Sequence, residues 1–413
     1  MLCTLRSASA LLLRVRSFFS KKWDCAIVIK YKDISVLESG QKGNADMITI
    51  KEIAGKLGMS TTTVSNVIHG KTGEVSPETT LRVQKFLEEV DYVPNINARN
   101  LAQNRSKIIG VVLKAWEGKY GNIFTDPFVA EMIGGIEKAI REKGYFMMLY
   151  ISDDIAEILK HVSTWNVDGL LLFCMLDDDA LRVKKKYRKP IVCIDTYIAK
   201  ENSGIYDSRF KNVGLEDEQG TYEAVKYLIG HGHRKIGFLS DNREGVDYAR
   251  FRGYRRALEE AGIEYSDRDF FLLRYEMKKG SGNSGAFGIR CMQDELQEGF
   301  DKLAERAGDY TAVFCCSDIY AVMFMNALSD RGIRVPDDMS IFGFDDNSYA
   351  SLCRPALTTV HQDAGYKGAL AAKLLIDMIR GEDSSKSQVT LKPELVIRGT
   401  VRDLRENPQA GNG

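Results

Sequence analysis

The chain has 413 residues, 57 basic and 57 acidic side chains, a formal net charge of zero and a hydrophobic fraction of 44%. That length implies more than one domain, and the balanced, mixed composition excludes a low-complexity or strongly single-signed chain. No apolar run reaches the length of a membrane span.

Residues 1–46 open with MLCTLRSASALLLRVRSFFSKK, basic and partly apolar. The stretch loosely resembles a targeting peptide, but Arg14 and Arg16 interrupt its apolar part and no clear small-residue cleavage pattern follows. Residues 49–70, TIKEIAGKLGMSTTTVSNVIHG, predict two short helices with a tight turn between them. Thr49 and Glu52 form a capping box, and Ile53, Ala54 and Leu57 make an apolar stripe. Gly58 ends the first helix, Ser60 caps the second, and Val64, Val67 and Ile68 face inward. Thr61, Thr62, Ser65 and Asn66 are left pointing outward at the part of a second helix that meets base edges in a helix-turn-helix. Ser76 and Pro77 start a third helix over 76–90, which Pro94 stops. Asn95 to Ala102 predicts one or two helical turns, too short to be stable alone. From Met47 to Lys107 there are eight Lys/Arg and six Asp/Glu, a net of +2. So weak a bias points to two copies of the domain acting together on phosphates.

From Ile108 strands and helices alternate: strands at 108–113, 145–151, 168–174 and 190–195, with helices at 127–143 and 153–165 and another before 190. The pattern repeats after residue 212. It gives helices at 217–230, 247–261, 284–305 and 320–330, and strands at 234–240, 270–275, 311–318 and 339–345. A helix at 365–381 and a strand near 388–398 finish it. Two βα halves imply two lobes of parallel sheet, with ligands bound beyond the carboxyl ends of the strands. Phe173, Asp195, Asp241, Ser317, Asp318 and Asp345 fall at those ends. Each alone also fits a turn or helix cap; as a set they suit a hydroxylated small molecule.

The eight cysteines, at 3, 25, 174, 193, 291, 315, 316 and 353, form no C-x-x-C pair and are expected to be reduced core thiols. His231 and His233 make an H-x-H pair without a third ligand, so no metal and no cofactor is expected. Nucleophile-elbow, phosphate-loop, zinc-protease and dinucleotide motifs are missing, which argues against an enzyme. GSGNSG (280–285) reads as a flexible loop.

The headpiece run, together with VSPETTLRVQKFLEEVDYVPNINARNLA, VDGLLL, PIVCID, GHRKIGFL, RFRGYRRAL, CSD, GIRVPDDMSIFGFDD and LTTVHQD in that order, closely resembles the lactose-repressor/galactose-repressor family of bacterial transcription regulators. The resemblance spans about residues 47–400. It implies an α/β fold: a three-helix helix-turn-helix headpiece (47–92), a hinge (93–107) and a two-lobed, periplasmic-binding-protein-like effector domain of parallel sheets (108–401). Residues 402–413 are then expected to be a disordered tail. Met47 stands where the family's chains start, so 1–46 is expected to be non-native or disordered. The resemblance implies a cytoplasmic, ligand-responsive repressor that binds a near-palindromic DNA operator as a homodimer, with a sugar or sugar derivative in the interlobe cleft.

Residue by residue, the resemblance implies that Thr61, Thr62, Ser65 and Asn66 contact bases and that Asn95, Ala98 and Leu101 contact DNA from the hinge, Leu101 as a minor-groove wedge. Asn66 suits adenine where other members carry arginine for guanine. Phe128, Phe173, Asp195, Arg250, Ser317, Asp318 and Asp345 are the implied ligand-binding set. Ser317 replaces a frequent asparagine and Phe173 a frequent polar residue, so an apolar or ring-faced ligand edge is expected. The alternative is a soluble sugar-binding protein without a DNA role, against which the headpiece argues.

Overall fold

The computed structural model describes residues 48–92, 105–114, 122–197, 206–273, 299–382 and 387–405. They fall into two compact units divided after Asn95.

The first unit is three helices, α1 (Ile50–Leu57), α2 (Thr61–Ile68) and α3 (Pro77–Glu89). The Thr49–Glu52 capping box is formed, and Gly58 closes α1 at φ +65°, a left-handed conformation that glycine adopts without a Cβ clash. Ser60 and Ser76 each cap their helix by accepting the amide N–H three residues on. Ile53, Ala54, Leu57, Val64, Val67 and Val83 form a small buried core. Arg82 fastens α3 to α1 through the Leu57 carbonyl at 3.1 Å.

In the second unit two six-stranded sheets each make a lobe. The first takes β1 (Ile108–Lys114), β2 (Phe146–Ser152), β3 (Gly169–Phe173), β4 (Ile191–Ile194) and β5 (Phe210–Leu215). Helices α4 (Pro127–Glu142), α5 (Ile155–Thr164) and α6 (Asp177–Lys186) connect its strands. The chain then crosses to α7 (Asp217–Gly230), β6 (Ile236–Ser240), α8 (Gly245–Glu260) and β7 (Phe270–Leu272). A helical stretch at 299–305 leads to β8 (Ala312–Cys315), α9 (Asp318–Asp330), β9 (Ser340–Asp345), α10 (Ser348–Leu352) and β10 (Thr358–His361). With β11 (Gln388–Leu391) and β12 (Glu394–Val396) from the end of the chain, strand orders are β2-β1-β3-β4-β5-β11 and β7-β6-β8-β9-β10-β12. Interior strands such as β3 and β9 are buried along their whole length, which is why they read as unbroken apolar runs.

The end of the chain departs from the expected single strand. Helix α11 (Ala364–Arg380) returns to the first lobe and packs on α4. Strand β11 (Gln388–Leu391) then pairs parallel with β5, whereas β12 (Glu394–Val396) pairs antiparallel with β10 in the other sheet. Two residues between them carry the chain across. Tight helix crossings fix both lobes: a Cβ on Gly135 would collide with the Gly365 carbonyl, and one on Gly253 with the Glu218 carbonyl.

Two expected boundaries move. Ser106 and Lys107, placed in the hinge, are bonded to the core, because their backbone N–H groups donate to Asp168 at 2.8 and 3.0 Å. Residues 402–405, placed in the tail, are also held: Arg402 N–H donates to Ser340 Oγ and Leu404 N–H to the His231 carbonyl. Cys193, Cys315 and Cys316 are buried free thiols as expected, but Cys174 is exposed, because it follows β3 at the open strand end. Cys3, Cys25 and Cys291 lie outside the described residues.

Candidate functional site

The two lobes meet at their strand ends. Asp195 follows β4 with φ +55° and Asp345 ends β9 with φ +119°. Non-glycine residues pay for such backbone and persist where the surroundings over-determine them.

Between these ends runs one buried polar chain. Lys367, in the first turn of α11, donates to both carboxylate oxygens of Asp195 at 2.9 and 2.8 Å and to Gln362 Oε1 at 2.6 Å. All three ammonium protons are thereby used. Gln362 Nε2 donates to Asp345 Oδ1 at 2.7 Å. The Arg250 guanidinium, from α8, lies 3.9 Å from the same oxygen. Arg250 Nε donates to Asp217 at 2.8 Å, its Nη1 to the Cys316 carbonyl, and its plane lies 3.6 Å over the Phe344 ring. Tyr197 completes the chain by donating to Asp217 and to the Leu215 carbonyl.

Three carboxylates thus face two cations. Asp345 is the one without a close cation, and burial pushes its carboxyl up to about 7. Burial also raises Asp195, with Lys367 opposing it. At Arg250 burial disfavours the charge, but Asp217, Asp345 and Asp247 outweigh it and hold the guanidinium firmly protonated. Phe128 is partly exposed, with the Lys367 ammonium 5.9 Å from its ring, and it packs 6.1 Å from the buried ring of Phe173.

The expected ligand set is therefore only partly assembled. Phe128, Asp195, Arg250 and Asp345 gather around this chain, whereas Phe173, expected to edge the ligand, is buried in the core behind Phe128, because it closes an interior strand covered on both faces. Asp318 does not serve it: fully buried, it accepts from Thr359 Oγ1 at 2.6 Å and the Asn347 N–H at 2.9 Å, so it ties α9 to β10 and the segment after β9. Ser317 is partly exposed and its hydroxyl does not cap α9. The H-x-H pair is structural. Buried His233 donates from Nε2 to the Arg402 carbonyl and meets Thr311 through Nδ1, and His231 Nδ1 meets the Tyr227 carbonyl. Burial lowers His233 to about 4.

Sequence reasoning missed Lys367, Gln362, Asp217 and Tyr197. Lys367 had a signal: it shares a helix face with Ala371 and Leu374, both buried, and a lysine on an apolar stripe needs a partner. Gln362 lay unassigned inside the VHQD run.

In the headpiece, Thr61 and Thr62 are exposed at the start of α2, and Ser65 and Asn66 are partly exposed farther along. Asn66 Nδ2 donates to Glu74 at 3.2 Å. Asn95, Ala98 and Leu101 lie outside the described residues.

Residues 49–95 match the family model described as bacterial regulatory proteins, lacI family, and residues 225–401 match a periplasmic binding protein-like domain. The chain is 33% identical over 366 residues to an HTH-type transcriptional repressor PurR from Mannheimia succiniciproducens, covering 87% of this chain and 100% of that protein. The chain belongs to the lacI family. A PurR repressor from Photobacterium profundum is 32% identical, again over its whole length and 87% of this chain. Among solved structures, a transcriptional regulator CelR–cellobiose complex matches at 27% identity, covering 86% of this chain and 99% of that one with a TM-score of 0.60. A lac repressor dimer bound to operator and an anti-inducer shares the fold at 22% identity, with the same coverage and a TM-score of 0.67. This member of the lacI family is accordingly a helix-turn-helix, DNA-binding transcription repressor with an effector-binding domain, not an enzyme. No helix among the described residues is long and apolar enough to cross a membrane.

Proposed function

We propose that this repressor acts in the cytoplasm as a homodimer on a near-palindromic operator, and that a sugar or sugar derivative between the lobes controls it. Two copies compensate for a net charge of only +2 over residues 47–107, headpiece and hinge together, and a two-fold dimer suits a palindrome. The observation that carries the effector reading is the 3.9 Å gap between Arg250 and Asp345. Every other bond in the buried chain is closed, at 2.9 Å or less. A hydroxyl set beside that pair bridges it, accepting from the guanidinium and donating to the carboxylate. The partly exposed Phe128 ring, near Lys367 and backed by buried Phe173, suits the apolar face of a sugar ring. The CelR relative, solved as a cellobiose complex, makes a disaccharide a reasonable first probe.

Control follows from linkage. An effector that favours one arrangement of the lobes changes operator affinity by a factor that the operator must return on the effector. The test is calorimetry of a neutral sugar panel, with and without a palindromic operator selected from random duplexes. Saturable binding with equal reciprocal factors is expected. Absence of binding by every neutral sugar, with binding by another metabolite class, overturns the sugar reading; unequal factors overturn the coupling.

A further inference from the structure

Asn66 does not stand alone on the reading helix. The loop after α2 folds back on it twice: Lys71 N–H donates to the Asn66 carbonyl at 2.8 Å, and the Asn66 side-chain amide donates to Glu74 at 3.2 Å. Glu74 closes a short 3-10 turn, Thr72–Glu74, directly before the cap of α3. Neither side chain is buried, so the pair adds little to the core. A carboxylate on a DNA-facing surface opposes phosphate binding, so Glu74 works against affinity. Among the described residues its side chain bonds to Asn66, the residue expected to face the bases.

The chemistry of that bond is directional. A carboxylate only accepts, so the amide nitrogen of Asn66 must face Glu74, and the amide oxygen faces away. One of the two N–H groups is consumed. What remains is one donor and one acceptor side by side. Adenine offers the matching acceptor and donor at N7 and N6, whereas guanine offers two acceptors, N7 and O6. An unheld amide rotates and gives both its N–H groups to guanine; an amide held by Glu74 does not. We propose that Glu74 is a positioning residue that makes Asn66 read adenine against guanine, trading affinity for specificity. This rests on Asn66 reading a base, as inferred above.

The experiment uses the full chain and a randomised duplex library, with bound and free pools sequenced for wild type, Glu74→Ala, Glu74→Gln, Asn66→Ala and the Asn66→Ala/Glu74→Ala double variant. Wild type is expected to favour adenine over guanine about tenfold or more at one position in each half-site. Glu74→Ala should lower that ratio several-fold while binding bulk DNA more tightly. Glu74→Gln shares the gain in bulk affinity but retains part of the ratio, because its amide oxygen can still accept from Asn66 although its NH2 can also donate and so holds the amide less strictly. In the Asn66→Ala background the Glu74 change should leave every base preference unaltered. An unchanged ratio in Glu74→Ala overturns the proposal, as does a ratio lost equally in Glu74→Gln, which would assign the effect to charge. If Asn66→Ala alters no base preference, the base-reading role itself fails, and the proposal falls with it for that separate reason.

Discussion

Lys367 on helix α11 grips Asp195 at the end of strand β4 through both carboxylate oxygens, at 2.9 and 2.8 Å. Both groups are nearly withdrawn from solvent, with side-chain exposures of 1% and 10%. Asp195 was expected to greet a ligand; its acceptors are instead occupied by the protein's own cation. An effector that uses Asp195 must therefore compete with an ion pair, whereas one that uses Arg250 and Asp345 need only bridge them.

Removing one partner of a buried pair leaves the other charged and alone. Lys367→Met should destabilise the effector domain by about 3–5 kcal/mol. Lys367→Met combined with Asp195→Asn should recover most of that loss. Urea unfolding of both variants checks this, and equal stability of the single and double variants would remove the pair as a structural element.

Arg250→Lys and Asp345→Asn are the cleaner probes of effector recognition. Arg250→Ala would strand Asp217, which Arg250 Nε holds at 2.8 Å. Each milder variant should weaken effector binding by about 1.5–3 kcal/mol, the range for a hydrogen bond to a charged group. Operator affinity without effector should change little. Calorimetry with the sugar that binds wild type, beside an operator titration, measures both.

The pH response should have two opposing parts. His233 is buried neutral and lowered to about 4. The unfolded chain therefore binds a proton between about pH 6.5 and 4 that the fold refuses, and stability falls as pH drops through that window, by on the order of 3 kcal/mol. Asp345, raised to about 7, has the reverse sign: the fold keeps its proton where the unfolded chain loses it, so its contribution is lost as pH climbs from about 4 to 7. His233→Asn should flatten the acid limb, and Asp345→Asn should remove the opposing loss of stability as pH climbs toward neutrality. Unfolding free energies measured every half pH unit would expose a wrong sign in either.

Leu101→Ala should weaken operator binding far more than binding to random duplex. An apolar wedge acts only where the central step can be opened, and random sequence seldom offers that step. Equal losses on the two DNAs, measured by anisotropy at one salt concentration, would rule out the wedge.

Much of this molecule was legible in its sequence, for stated reasons. The headpiece could be read because its signals are local: Thr49, Ser60, Ser76 and Gly58 act within one turn of where they stand. The strands could be read because burial on both faces leaves runs such as GLLLF in β3. What stayed hidden depends on contacts distant in the chain. Lys367 meets Asp195 across 172 positions, and Arg250 meets Asp217 across 33. Asp318 looked like a ligand group because strand-end carboxylates often are, and its true partners, Thr359 and Asn347, are supplied by later elements. The split of the last strand was invisible for a similar reason: Gln388–Leu391 and Glu394–Val396 differ in which sheet has a free edge, not in residue type.

That split has a mechanical consequence. The lobes are joined by three short links, at residue 216, at 362–363 and at 392–393. None has slack to spare, so neither sheet can pull away from the other. Any change in the angle between the lobes has to be taken up by all three links at once. Gln362 is part of one of those links, and its side chain bonds Lys367 on one side and Asp345 on the other. A displacement of Asp345 is therefore felt directly at a link between the lobes, through a single hydrogen bond.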